Sequence, residues 1–363
     1  RRSGDARQGI IDAILSTRVT SRTFSGKADV RRLLEQYFAN VPFEDLTGRS
    51  EQVMARIAVD HLDFAATRKP GQALLRIFNP SKQEHGYDSA FTFVEMVNDD
   101  MPFLVDSVAA AINRHNLSVH ITVHPIIAVR RNKLGELRSI ARPGDKNAGR
   151  ESFVRFAISH ESDPQELKVL RREITRVLAD VRVAVRDWSA MRERMREARD
   201  LLERGPKGAD PLLRSERQAL LEWLADDCFT FLGYREYRLR KRGKRSFLEN
   251  VPGTGLGVLS HDDDRRSRVE LTPEMERQRT ARDWLVLTKA NSRSTVHRPA
   301  FLDYIGIKIY VKKGYAIGER LFIGLLTSIA YIENPQNIPY LRHKVARVFE
   351  NARVNVEGHR GKA

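Results

Sequence analysis

A short acidic turn is the first place in this sequence where residue types and spacing suggest ligand chemistry. It follows the mostly apolar residues 91–97 and precedes Pro102, after which apolar residues recur every three or four positions. The N-terminus of a helix offers N–H groups to a carboxylate, and an acidic side chain would bind an ammonium group. This turn is therefore a candidate amino-acid site, although plain helix capping by Asp99 or Asp100 explains the same residues and is the interpretation that we favour. The candidate effector-binding residues are Asn98, Asp99, Asp100, Asp106 and Ser107.

A second candidate is the polar segment 289–298, which follows an apolar run. It carries three fixed cations and four further hydrogen-bonding side chains, a set that could bind a carboxylate or a phosphate through charge-assisted bonds. Docking against another subunit or domain is the interpretation that we favour, and a solvated loop is the other alternative. The candidate docking or anion-binding residues are Lys289, Asn291, Arg293, His297 and Arg298.

Three further features point away from catalysis. His120 and His124 lie on one predicted strand, where side chains four residues apart are roughly 13 Å from each other, too far to share a metal; core or interface histidines are expected.

The glycines of residues 252–257 lack the spacing of a dinucleotide-binding GxGxxG motif, and acidic residues follow them, so a flexible loop or strand edge is expected. Cys228 is the only cysteine, which excludes an intrachain disulfide and a multi-cysteine zinc site. With acidic neighbours, it is expected to be a buried or half-buried spectator.

The elements around the acidic turn follow one another as strand, helix, strand, strand and helix. The strands are predicted at 91–97, 119–129 and 153–158, and the helices begin near Phe103 and Pro164. Residues 73–78 add a spare strand upstream. This order is typical of a ferredoxin-like split βαβ module. Residues 27–64 carry apolar residues at helical spacing and predict a helical preface.

The second half of the chain predicts a different module. A charged helix begins near Ser189, and residues 204–211 form a turn-rich linker, followed by a helix at 212–224. Strands are predicted at 229–239, 284–288, 301–311 and 318–327, with a glycine-containing turn at 312–314. Strands joined in this way form an antiparallel sheet. Residues 265–282 show no period and are predicted to be irregular and mobile.

Several long blocks of this sequence resemble the N-terminal part of the large bacterial NAD-specific glutamate dehydrogenases. The blocks are colinear, span most of the chain from about Leu33, and read FNPSKQEHG (78–86), NDDMPFLVDS (98–107), VHPIIAVRR (123–131), FTFLGYREY (229–237), LTKANSRSTVHRPAFLDYIGIK (287–308), GERLFIGLLTS (318–328) and IPYLRHKVARV (338–348). In that family the catalytic core lies far downstream, and the N-terminal part is a string of ACT-like modules with a PAS-like one.

The resemblance implies an α+β chain in five parts: a helical preface (1–66), a ferredoxin-like, ACT-like βαββαβ module (67–188), a helical linker (189–225), an antiparallel PAS-like sheet module (226–333) and a final helix leading to downstream domains (334–363). It implies a non-catalytic regulatory or oligomerisation segment without a cofactor of its own. The full-length parent would use NAD to convert L-glutamate and water to 2-oxoglutarate and ammonia. Expected partners are the downstream catalytic domain, other subunits in a homo-oligomer and an amino-acid effector.

Composition sets the remaining bounds. The 363 residues suggest two or three domains, and 41% hydrophobic residues are enough for ordinary cores. No apolar run approaches the roughly 20 residues that cross a bilayer, and no signal peptide is recognisable, so we expect a cytoplasmic protein without membrane contact. The net charge of +16 makes nucleic acid a candidate partner. Acidic residues interleave with the basic ones, however, and neutralisation by acidic partner domains explains the excess positive charge better. A purely architectural segment and an amino-acid-responsive nucleic-acid-binding regulator remain the alternatives.

Overall fold

The chain forms two compact units that divide between Ala179 and Asp180. A computed structural model describes residues 2–24, 26–48, 50–202, 210–243, 245–260, 268–280, 284–310 and 316–351. Helices and antiparallel sheets occur in both units, so the predicted α+β class is confirmed. None of the helices in the described part of the chain combines the length and the apolar character that crossing a bilayer requires. The five-part division of the chain stays a prediction.

Unit 1 contains a helical preface and a six-stranded sheet with further helices. Its elements are α1 (Arg2–Ser16), α2 (Lys27–Phe38), α3 (Phe43–Leu46), α4 (Glu51–Phe64), β1 (Leu74–Phe78), α5 (Lys82–His85), β2 (Thr92–Asp99), α6 (Leu104–Arg114), β3 (Val119–Val123), β4 (Ile126–Arg131), β5 (Leu137–Ile140), β6 (Gly149–Ile158) and the first part of α7 (Pro164–Leu201).

The sheet of unit 1 is antiparallel, with strand order β1-β2-β6-β4-β5, and β3 also pairs with β6. Strands β2 and β6 lie at its centre and are buried along nearly all their length. The preface packs against this sheet, because Leu33, Leu34 and Leu62 share a core with Val97 and Phe153. The helical preface is therefore part of the core of unit 1.

The strands of this sheet differ in part from those predicted. The single strand predicted at 119–129 is wrong: the chain forms β3 and β4, which are interrupted at His124 and Pro125. Proline has no N–H to donate to a neighbouring strand, although the Pro125 carbonyl still accepts from the Phe153 N–H at 3.0 Å. The spare strand at 73–78 pairs with β2 as the edge strand β1. This edge therefore comes from upstream of the other strands.

Unit 2 contains the rest of α7 and a seven-stranded antiparallel sheet. Its further elements are α8 (Pro211–Trp223), β7 (Phe229–Arg242), β8 (Arg245–Asn250), β9 (Leu256–Gly257), β10 (Arg268–Glu270), α9 (Pro273–Thr280), β11 (Leu285–Arg293), β12 (Phe301–Tyr310), β13 (Ala316–Leu326), α10 (Ser328–Ile332) and α11 (Leu341–Asn351). The strand order is β10-β8-β7-β13-β12-β11, and β9 also pairs with β7. The predicted antiparallel arrangement is confirmed.

The boundaries in unit 2 correct two predictions. No new helix starts near Ser189, because α7 continues through it; Met191, Met195 and Ala198 keep its buried face apolar to the end. Within residues 265–282, the described part forms β10 and α9 and is not irregular. Residues 204–209 of the predicted linker and the turn at 312–314 lie outside the described residues.

Candidate functional site

The acidic turn is split between the two faces of the unit 1 sheet. Strand β2 runs through Asn98 and Asp99, so their side chains point in opposite directions. The Asn98 side chain is buried, and its amide donates to the Met101 sulfur. These two residues are therefore the last residues of β2 and not part of the turn that follows it.

Asp99 belongs to an ion-pair cluster with Arg68, Glu151 and Arg131. Its carboxylate accepts from Arg68 at 2.8 Å and from the Gly71 N–H at 3.1 Å. Arg68 also contacts Glu151 at 2.8 Å, and Arg131 binds both Glu151 oxygens at 2.7 and 2.9 Å. The charge of Asp99 is thus balanced inside unit 1, where it joins the start of β1 to the sheet.

Asp100 is the acid of the turn that lies in a partly open polar cluster. It accepts from the Arg150 guanidinium at 2.9 Å and from the Ser152 hydroxyl at 3.1 Å. Because that hydroxyl donates to Asp100, it accepts from His124 Nε2, which lies 3.1 Å away. Partial loss of hydration lowers the pKa of the His124 ring, although much of its side chain is exposed, and the Asp100 carboxylate acts in the opposite direction. The cluster therefore presents one acid, one arginine and one histidine together.

The capping alternative for this turn is wrong. Helix α6 starts at Leu104, and its N-cap is Phe103, which has φ +70° and makes no side-chain cap. Ser107 is buried and donates to the Phe103 carbonyl at 2.5 Å, whereas Asp106 is exposed in the first turn. Asp106 complements the positive end of the helix dipole. The five candidates therefore lie on different elements: Asn98 and Asp99 end β2, Asp100 follows it, and Asp106 and Ser107 lie in the first turn of α6.

A larger charged cluster, which the sequence analysis missed, lies on the face of the sheet that carries Asp99. Glu95 on β2 is fully buried between two arginines: Arg76 on β1 approaches it at 2.7 Å, and Arg155 on β6 at 2.8 Å. Arg76 also binds the Asp60 carboxylate at 2.6 Å. The Arg155 guanidinium lies 3.8 Å from the centre of the Phe93 ring. In each of the three strands a charged residue interrupts an apolar run, and this was the available signal.

The aromatic and histidine groups next to this cluster are kept neutral. The Tyr37 hydroxyl lies 3.0 Å from His61 Nδ1, and both side chains are fully buried. Burial lowers the pKa of His61 to about 4 and raises the pKa of Tyr87 to about 12. Burial alone would raise the pKa of Glu95, but the nearby His61, Arg155 and Arg76 lower it overall. The cluster is therefore a set of balanced ion pairs at neutral pH.

A cavity beside this cluster has a volume of about 50 Å³, and Tyr37, Phe93 and Arg155 are among its lining residues. Water fits into a space of that size, whereas pockets for drug-sized ligands start at roughly 300 Å³. The cavity beside the buried cluster is therefore too small for such a ligand.

The cations of the second candidate site are engaged by their own neighbourhood. Lys289 lies 2.6 Å from the Asp303 carboxylate; Arg293 donates to the Pro299 carbonyl at 2.8 Å, and Arg298 to the Leu326 carbonyl at 2.6 Å. Asn291 is exposed in an irregular part of β11, and His297 is half-buried with φ +68°. The five residues occupy one end of β11 and its following loop, where Lys289, Arg293 and Arg298 each bind a different oxygen atom of the protein.

The glycine-rich run does not fit a site for NAD. A dinucleotide fingerprint presents free N–H groups at a helix N-terminus. Here Gly257 lies in β9, and its N–H donates to the Asp187 carboxylate at 2.8 Å, where a phosphate would be repelled. The expectation of a loop or strand edge is met by the turn at Gly253 and by β9.

The remaining candidate residues have ordinary surroundings. His120 and His124 are both exposed in unit 1, so a core position is wrong and an interface position stays a prediction; each histidine contacts a different serine. Cys228 is buried as predicted, and burial together with Asp227 and Asp226 raises its pKa. Among the described residues there is no group of three or more His, Cys, Asp or Glu side chains placed to hold a metal ion.

Comparison with known proteins identifies the family. Residues 33–174 match the family model "Glutamate dehydrogenase, ACT1 domain". The chain is 35% identical over 355 residues to the NAD-specific glutamate dehydrogenase of Halomonas elongata and 33% identical over 334 residues to that of Pseudomonas aeruginosa. These alignments cover 96% and 90% of this chain but 22% and 20% of the relatives, so the chain spans about a fifth of their length. The chain belongs to the family of NAD-specific glutamate dehydrogenases, as a segment from their N-terminal part that contains the ACT1 domain.

Proposed function

We propose that this chain is a non-catalytic regulatory and assembly segment of an NAD-dependent glutamate dehydrogenase. The full-length protein would convert L-glutamate, NAD and water to 2-oxoglutarate, ammonia and NADH. The observation that carries the proposal is the ACT1 match over residues 33–174, within alignments that span most of the chain. The buried charges of the same region support it, because Arg76 and Arg155 are balanced by Asp60 and Glu95 and serve the scaffold.

The finer fold assignments belong to the same proposal. In a ferredoxin-like βαββαβ module, the fourth strand lies beside the first, on the side opposite the third. Strand β1 holds that place beside β2, so we assign unit 1 to the ACT-like class with an edge strand supplied from upstream. The antiparallel sheet of unit 2 is assigned to a PAS-like module.

The amino-acid site of unit 1 is proposed at the Asp100 cluster. Asp100 would bind the ammonium group, and Arg150 would bind the carboxylate, because the two side chains lie together at the end of β2 and β6. Asn98, Asp99, Asp106 and Ser107 would position the turn and the start of α6. The segment with Lys289, Asn291, Arg293, His297 and Arg298 is proposed as a docking surface for the downstream catalytic domain or another subunit of a cytoplasmic homo-oligomer.

The test uses the full-length protein. NADH formation from L-glutamate is followed at 340 nm in the presence of each of the common amino acids, and molecular mass is measured in the same buffers. We expect one class of amino acid to change kcat or KM, and we expect Asp100→Asn to abolish that change while basal activity is kept. The matched control is Asp145→Asn, which removes an acid of similar exposure from an ion pair with Arg130.

The outcomes separate the alternatives. A response that survives Asp100→Asn would place the effector elsewhere. Activity that no amino acid alters, together with an intact oligomer, would favour a purely architectural segment. Failure of the full-length protein to reduce NAD with glutamate would overturn the parent activity itself.

A further inference from the structure

A second, larger cavity lies in unit 2 and belongs to none of the sites described above. Its volume is about 250 Å³, and it is bounded by the end of α8, strands β11 and β12, and the segment that enters α11. This volume is slightly below the range of about 300 to 1,000 Å³ that is typical of sites for drug-sized ligands, so it suits a smaller molecule. Leu220, Trp223, Leu224, Ile305 and Ile338 give it apolar walls.

The wall that enters α11 is held in place by an ion pair. Glu216 on α8 accepts from the Tyr340 N–H at 2.8 Å and binds the Arg342 guanidinium at 2.7 and 2.9 Å. The backbone of Tyr340 has φ +64°, a left-handed conformation that non-glycine residues seldom adopt unless surrounding contacts stabilise it. The cavity is therefore preformed by contacts of its own walls, which lowers the cost of ordering them around a ligand.

The polar groups of the cavity are few and unequal. Asp303 is already paired with Lys289 and also accepts from the Leu326 N–H at 3.1 Å. Lys344 lines the cavity, and its ammonium lies 4.6 Å from the centre of the Tyr340 ring. The salt bridges of the described residues leave Lys344 without a carboxylate. An apolar space with one available cation is complementary to an apolar molecule with one negative charge.

We infer that this cavity binds a small apolar carboxylate, with the hydrocarbon part between α8 and the sheet and the carboxylate on Lys344. An apolar α-amino acid and a short-chain fatty acid share this chemistry. The site is separate from the Asp100 cluster and does not depend on the proposed function. Its ligand binding can be measured on the chain itself.

The experiment titrates the chain with L-leucine, 4-methylpentanoate and the uncharged 4-methylpentanamide, followed by calorimetry and by tryptophan fluorescence, to which Trp223 in the cavity wall contributes. We expect saturable binding of at least one carboxylate, and we expect the amide to bind about tenfold more weakly. Lys344→Gln is expected to weaken carboxylate binding about tenfold without affecting the amide. Thr288→Trp, at an exposed position that lines the cavity, is expected to block both.

Arg347→Gln is the matched control, because it removes an exposed cation from the same helix outside the cavity lining. The affinity of this variant for the carboxylates is expected to stay within about twofold of that of the unsubstituted chain. Binding of L-leucine alone identifies an amino-acid site, and binding of 4-methylpentanoate alone identifies a fatty-acid site; either supports the inference. The inference is overturned if neither carboxylate binds, or if Lys344→Gln and Thr288→Trp bind the carboxylates as tightly as the unsubstituted chain does.

Discussion

Glu95 lies between two arginines on a strand that is buried along its length. Glu95→Gln keeps the shape of the side chain but removes the charge that balances Arg155 and, in part, Arg76. Removing one partner of a buried ion pair leaves the other charge uncompensated, so we expect the free energy of unfolding of unit 1 to fall by about 3 kcal/mol or more. Hydrogen exchange of the β2 and β6 amides measures this change.

Glu136→Gln is the control for that prediction. Glu136 pairs with Arg138 on the surface, and exposed pairs contribute less than about 1 kcal/mol. Equal loss of protection in the two variants would show that the buried pairs add nothing beyond a surface contact.

The buried His61 makes the stability of unit 1 depend on pH. Its pKa in the folded chain is about 4, below the ordinary value of 6.5, because burial disfavours the charged form. The unfolded chain therefore binds a proton that the folded chain does not, and stability is lost as the pH falls from about 6.5 towards 4. The slope is about 1.4 kcal/mol per pH unit for one proton. The lowered pKa of Glu95 extends the loss in the same direction at still lower pH.

Hydrogen exchange of unit 1 between pH 7 and pH 4.5, corrected for the intrinsic exchange rate, checks this prediction. The non-titrating His61→Gln should be less stable at neutral pH but should lose less stability on acidification. The exposed His120→Gln serves as control. If the stability of the unsubstituted chain and of His61→Gln falls in parallel with pH, His61 is not the cause of the acid destabilisation.

At the scale of elements, local patterns predicted the central strands and missed features that depend on distant partners. Strands β2 and β6 were predictable because apolar residues run through them. The split between β3 and β4 was readable from Pro125, whose missing N–H was overlooked. Strand β8 was missed because charged residues surround it. The continuation of α7 past Ser189 was missed because its sequence is mostly polar, and only the spacing of Met191 and Met195 marks a buried side.

The pairing of strand β9 with β7 depends on a glycine at position 257. Gly257 has φ +59°, and a Cβ there would lie 2.2 Å from the Leu232 carbonyl oxygen, so Gly257→Ala must break the pairing of β9 with β7. We expect unit 2 to lose at least about 3 kcal/mol of stability. Urea denaturation followed by tryptophan fluorescence measures this, since Trp188, Trp223 and Trp284 all lie in unit 2.

Gly253→Ala is the matched control. Gly253 also has a positive φ, +75°, but a Cβ there meets no atom within 4 Å. Its cost should be the backbone strain alone, about 1 to 2 kcal/mol. If both substitutions cost the same, the close approach to Leu232 is not what fixes glycine at position 257.

For the whole molecule, the sequence predicted the fold class and the family, whereas the spatial partners of the candidate site residues lie far away in the chain. The five residues proposed around the acidic turn were chosen by their closeness in sequence, and the sheet places Asn98 and Asp99 on opposite faces. The partners that determine their roles, Arg68 and Arg150, are 31 and 50 residues away from Asp99 and Asp100. The cavity beside Lys344 joins elements more than 100 residues apart, which no local pattern records.

The net charge of +16 gives the prediction for the molecule as a whole. Many arginines are engaged in ion pairs spread over both units, so the excess is diffuse and suits weak attraction to any polyanion. We expect the chain to bind two unrelated DNA duplexes with equal affinity, weaker than about 10⁻⁶ M near physiological salt, and to lose that affinity as salt rises. Fluorescence anisotropy at two salt concentrations measures this. The full-length protein should bind still more weakly if its other domains are acidic, whereas tight binding that depends on the DNA sequence would favour a nucleic-acid-binding regulator over a segment of a metabolic enzyme.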